Sequence, residues 1–216
     1  MADTSTTSVS RLIMVPALIT LGVTILRLVG ELQHWSPTFF STAAGGGAAL
    51  VGIVWLPVIF GPYLAVKLVE AGEQPSTRGG AIGYALLGLL VLAGGVFLAV
   101  KAGFGSPPLE IASLASMTAA IVLQFRAWPA MAKCLVAYGY AARIPVVIIM
   151  FFALRGNWGT HYDGPPPNLP EMGFWPKYLQ IALIPQLIFW VAFTVVIGAL
   201  FGAITAALRR TPAAVH

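Results

Sequence analysis

Between Arg11 and Gln33 the only other charged residues are Arg27 and Glu31, set in an otherwise apolar run. Runs of this kind recur along the chain and decide what it can fold into. About 20 apolar residues cross the hydrocarbon core of a bilayer as a helix. In lipid every backbone N–H and C=O must be satisfied within the protein, which leaves helices or a closed barrel. The runs here are continuous rather than alternating, and that selects helices. Only 9% of the 216 residues are charged and 58% are hydrophobic, with a mean hydropathy of +0.88. A soluble domain carries about 25% charged residues. The fold class expected is all-α: a polytopic integral membrane bundle of about six transmembrane helices.

The expected helices cover 11–33, 48–69, 80–101, 108–126, 130–155 and 177–208. Residues 1–10 are expected to be a disordered cytoplasmic N-terminus, 11–210 the transmembrane domain, and 211–216 a short cytoplasmic tail. Proline and glycine punctuate the helices. Trp35, Ser36 and Pro37 end the first, and Ser106 followed by Pro107 reads as the start of the fourth. In the second, Pro57 and Pro62 flank Gly61; two missing backbone donors predict a kink, so Pro57, Gly61 and Pro62 are the candidate hinge. The third carries Gly83, Gly88, Gly94 and Gly95, small residues that let helices approach closely. It is the expected face for homo-oligomer contact or for a partner in a membrane protein complex. The outer loop, 156–176, holds five prolines (Pro165, Pro166, Pro167, Pro170 and Pro176) and is stiff for its length.

The formal charge is +5, but the basic residues are scattered singly near segment ends, with no basic stripe. That is the pattern of membrane orientation, and it excludes nucleic acid as a partner. One cysteine, Cys134, precludes an intrachain disulfide or a CxxC redox pair. The polar opening MADTSTTSVS lacks the basic start of a signal peptide, so the first segment is read as a retained helix. With the N-terminus inside, Arg11, Lys67, Arg78, Arg126, Lys133, Arg209 and Arg210 are cytoplasmic, and Lys101, Arg155, Lys177 and Arg27 lie toward the outside. This excess puts both termini in the cytoplasm of a bacterial-type inner membrane.

The candidate site begins on the first helix. Thr20, Thr24, Arg27, Glu31 and His34 follow one another in steps of four, three, four and three. At about 100° per residue they share an arc of roughly 80°, which must face protein or a wet cavity. Arg27 and Glu31, spaced i, i+4, either neutralise each other near the interface or line an outward-facing cavity that the threonines continue inward. Arg143 is the second signal. It lies roughly 18 Å below Arg155 at about 1.5 Å per residue. No acid lies within a turn of it, so its partner is on another helix or is an anionic ligand. Gln186 is a candidate companion. Thr24, Arg27, Glu31, Arg143 and Gln186 are therefore the candidate ligand-binding set, with Arg143 and the first-helix stripe expected to share one cavity.

His34, His161 and Asp163 fall on the same expected side and form a candidate metal set, although no HxxxH, HExxH or CxxC spacing supports them. No cofactor is indicated. The motifs of intramembrane proteases, lipid phosphatases and alcohol phosphotransferases are missing, so no catalytic residue is assigned and the reading leans away from an enzyme. The leading expectation is a non-enzymatic membrane protein with a polar, outward-facing cavity that binds or moves a small solute or a lipid. The alternatives are an accessory or assembly subunit of a larger membrane complex, and a metal-dependent enzyme at the outer surface.

Overall fold

The computed structural model describes residues 8–46 and 49–209. Residues 1–7 of the expected N-terminus and the tail at 211–216 lie outside them. Among the described residues there is no strand. Six helices make up the bundle: α1 (Val9–Leu32), α2 (Leu56–Glu70), α3 (Arg78–Ala102), α4 (Pro107–Ala127), α5 (Pro129–Gly156) and α6 (Phe174–Leu208). All but α2 are long and apolar enough to cross a membrane. The chain is thus a multi-pass helical membrane bundle. Val9 and Ser10, expected to be disordered, already belong to α1.

The second helix corrects the expectation most. It begins at Leu56 rather than at 48, and its 15 residues reach only about 22 Å at about 1.5 Å per residue. Pro57 lies in its first turn, where the missing N–H costs nothing. Pro57 therefore starts the helix instead of kinking it. The residues ahead of α2 form an irregular segment with one tight turn, Ala44–Gly46. It is tied back on itself where the amides of Leu50 and Val51 donate to the carbonyls of Thr38 and Phe39, each at 3.2 Å. Irregular backbone survives in a membrane protein only where other groups satisfy it. Here Arg27 does so.

Packing is organised around α6, which contacts α2, α3, α4 and α5. Its junction with α2 is made by glycines. A side chain on Gly61 would run into the carbonyl oxygen of Gly198, and Gly202 faces the carbonyl of Gly61. Gly61 is therefore a point of backbone contact between two helices. Leu64, Leu135, Val191 and Val195 fill the core around it. In α3, Gly88 packs on Gln124 and Gly95 on Ser113, while Gly83 and Gly94 meet nothing within 4 Å. The Ser113 hydroxyl donates to the Gly95 carbonyl at 2.8 Å and the Ser116 hydroxyl to Val91 at 2.9 Å. Two of the four α3 glycines thus serve an internal hairpin with α4.

The first half of α6 departs from α-helical winding. Leu179–Leu183 and Pro185–Phe189 are π-helical. Pro185 has no N–H to offer the carbonyl of Ile181, and a wider turn absorbs the missing bond. Such widened turns concentrate at functional sites, and this one borders the cavity described next.

Candidate functional site: a one-sided cavity with a buried arginine

Two constructions build the site, one that roofs it and one that floors it. The roof is held by α1. Arg27 donates from Nε to Glu31 Oε1 at 2.7 Å, from Nη1 to the Val51 carbonyl at 3.0 Å, and from Nη2 to the carbonyls of Ser41 and Gly46 at 3.1 and 2.7 Å. One guanidinium thus ties three carbonyls of the irregular segment to α1. Gly46 sits at a φ of +87°, and a Cβ there would lie 3.1 Å from Nη2. Only glycine gives both the left-handed backbone and the clearance.

Glu31 is 1% exposed and binds the other loop. Its Oε2 accepts the backbone N–H of His161 at 2.8 Å, and its Oε1 contacts the His161 ring Nδ1 at 2.5 Å. A carboxylate paired with Arg27 has only lone pairs to offer, so Nδ1 carries the hydrogen and Nε2 is the free acceptor. Burial holds the His161 pKa below the ordinary imidazole range, partly opposed by its hydrogen bond to Glu31. Tyr162 lies tilted against it, with ring centroids 3.9 Å apart and the ring planes at 42°, and donates to the Thr24 carbonyl at 3.3 Å. Burial pushes the Tyr162 phenol pKa up. Asp163 shapes the same loop by accepting the N–H groups of Gly159 and Thr160, at 2.9 and 2.8 Å, and the Thr160 hydroxyl at 2.6 Å.

The threonine stripe is satisfied locally. The Thr20 hydroxyl reaches the Pro16 carbonyl and the Tyr138 hydroxyl, at 2.7 and 2.9 Å, and Thr24 reaches the Thr20 carbonyl at 2.9 Å. Thr20–Tyr138 is the polar contact that seats α1 on α5.

Beneath this roof lies a cavity of about 820 Å³, bordered by α1, the segment before α2, and α3 to α6. That is within the range of about 300–1,000 Å³ typical of small-molecule sites. Thr24, Arg27, Arg143 and Gln186 all line it. Glu31 does not; it stands behind Arg27, between the two loops.

The floor is Arg143, 5% exposed. Its guanidinium carbon sits 4.6 Å from the centre of the Trp190 ring, and Nη1 donates to Gln186 Oε1 at 3.2 Å. Among the described residues that is its only hydrogen bond, and no carboxylate pairs with it. Nε is buried and without a partner, as is Oε1 of Gln180, another cavity residue. An arginine left in this state keeps its charge and requires a counter-charge to become comfortable.

The metal set receives no such support. Among the described residues no group of three His, Cys, Asp or Glu side chains is placed to hold an ion. His161 turns its Nδ1 to Glu31, Asp163 uses both oxygens on its own loop, and His34 is exposed just past the end of α1. Sequence reasoning passed over Trp190 and Gln180, and it reads Tyr162 only as an interfacial anchor. Trp190 follows Gln186 by four residues, a same-face spacing that marks it as a companion of Gln186. Nothing comparable flags Tyr162, which reaches α1 only through the fold of its loop.

Comparison of the chain with protein-family models, curated proteins and solved structures gives no match.

Proposed function

We propose that the protein is a non-enzymatic inner-membrane protein, of bacterial type, whose cavity binds or moves a small solute or a lipid bearing an anionic group. The observation that carries this reading is Arg143: a buried cation on the wall of a cavity, with no carboxylate among the described residues and an N–H unspent. Arg27 plays a different part from Arg143. Its donors are engaged by Glu31 and three carbonyls, so it builds the roof and offers little to a ligand. In this reading Arg143, Gln186 and Gln180 supply the polar contacts. Both termini face the cytoplasm and the cavity faces outward, on the distribution of lysine and arginine.

An accessory or assembly role in a membrane complex is the second reading. It rests on Gly83 and Gly94, which leave part of α3 open to a neighbouring helix. Gentle purification from native membranes, with mass spectrometry for lipids, solutes, metals and proteins together, tests both. A co-purified anionic molecule that is lost in Arg143→Gln supports the cavity reading. A stoichiometric protein partner and an empty cavity would replace it with the subunit reading.

A further inference from the structure

We infer that the cavity takes its ligand sideways from the bilayer, and that this ligand is a single-chain amphiphile whose acidic head, a carboxylate in the simplest case, docks on Nη2 of Arg143. The inference rests on the cavity reading above and narrows it.

Three observations lead to it. The first is the free edge of the guanidinium. Trp190 covers its face and Gln186 takes Nη1, while Nε and Nη2 donate to nothing among the described residues. Nε is enclosed by protein, so Nη2 is the donor left for an acidic group, in a charge-assisted hydrogen bond.

The second is the way the helices leave a gap. Among the described elements α1 packs on α5 and α2, whereas α3 packs on α4 and α6; α1 and α2 make no contact with α3. The cavity borders that gap. Val54, on the segment before α2, and Val100, in the last turn of α3, both line the cavity and are 40% and 74% exposed. Val96, one turn deeper, continues the same wall. In a membrane, the exposed side of such apolar positions is lipid.

The third is the order of chemistry along the path. Val96, Met117, Val146, Met150 and Ile181 line the wall around Arg143. Most of this wall is an apolar collar, broken by a few polar groups such as Ser113, Asn168 and Gln180, so a hydrated free anion would exchange its water for few donors along it. An acyl chain fits the collar while its head reaches the arginine.

The test uses the full chain in phosphatidylcholine nanodiscs, with retained molecules counted by native mass spectrometry. Stearate should be retained one per protein and methyl stearate should not. Arg143→Gln and Arg143→Leu should each lower stearate occupancy about tenfold or more, as expected for a lost charge-assisted contact. Val100→Trp, at an exposed wall position, should lower stearate retention and leave retention of the water-soluble anion benzoate unchanged. If the arginine variants fail to fold, the ester comparison and Val100→Trp still decide the matter. Equal retention of stearate and its methyl ester would overturn the inference. So would retention of benzoate alone, or indifference of stearate to Val100→Trp; in either of those cases the broader cavity reading survives. If neither stearate nor benzoate nor any native lipid or solute is retained, the cavity reading falls as well.

Discussion

Replacing Glu31 by Gln leaves Arg27 with its three carbonyls but without its counter-charge, in a place where Glu31 is 1% exposed. Removing one member of a buried ion pair costs about 3–5 kcal/mol. The expected result is a clear drop in the thermal unfolding midpoint in detergent and faster proteolysis in both the 38–52 segment and the 157–173 loop. A variant that unfolds like the parent would show that the Arg27–Glu31–His161 knot holds nothing together. His161 gives the same knot a pH response. Its pKa is lowered by burial, so between that value and the ordinary 6.5 the unfolded chain binds a proton that the folded one refuses. Stability should be level above about pH 6.5 and fall as the pH drops below it. Unfolding midpoints compared at pH 7.5 and 5.5 check this, and His161→Gln should remove that part of the slope. At this scale the sequence exposed the pair on α1 through its spacing, and Arg143 through its isolation from any acid. It could not disclose that Glu31 answers to His161, because 130 residues separate them and only the fold of a loop brings them together.

The helices themselves were the most legible level. For α1, α3, α4 and α5 the expected bounds lie within about two residues of the observed ones, as far as assignments agree at all. Long apolar runs leave the backbone little choice in lipid. The α2 region misled because hydropathy does not count hydrogen-bond partners. The residues ahead of Leu56 are apolar enough for a helix, yet Arg27 claims the Val51 carbonyl, with those of Ser41 and Gly46 before it, from outside the segment. The contact of Gly61 with Gly198 was hidden in the same way, since it joins distant parts of the chain. Gly61→Val tests whether that contact or a hinge motion is what the glycine serves. A branched side chain would force α2 away from the Gly198 carbonyl and should cost about 1–3 kcal/mol as overpacking. A hinge glycine would tolerate the change structurally and lose only a motion. Gly46→Ala adds a Cβ at a φ of +87° against Arg27 and should lower stability by about 1–3 kcal/mol, read from the same unfolding measurement.

For the whole molecule, the composition gave a helical membrane bundle directly, whereas the cavity could not be read from any one segment because it takes walls from α1 and from α3 to α6 together. Its orientation is testable without a ligand. Cysteines introduced at Gly105 and Asn157 should react with an impermeant maleimide from the outside of intact cells, and one at Gly72 should react only after the membrane is opened. The native Cys134 is buried and should stay silent. The reverse pattern would invert the topology. The distance in sequence between Glu31 and His161 also bears on how the protein is made. At about 5–20 residues per second, some 130 residues of further synthesis take roughly 6–26 s. Through that interval α1 is already complete, and its arginine already has the acid one turn away and the carbonyls of the next segment. The i, i+4 pairing therefore acts first as a travelling companion: it lets a charged helix wait in the membrane, nearly neutral, until the partner loop arrives from the ribosome.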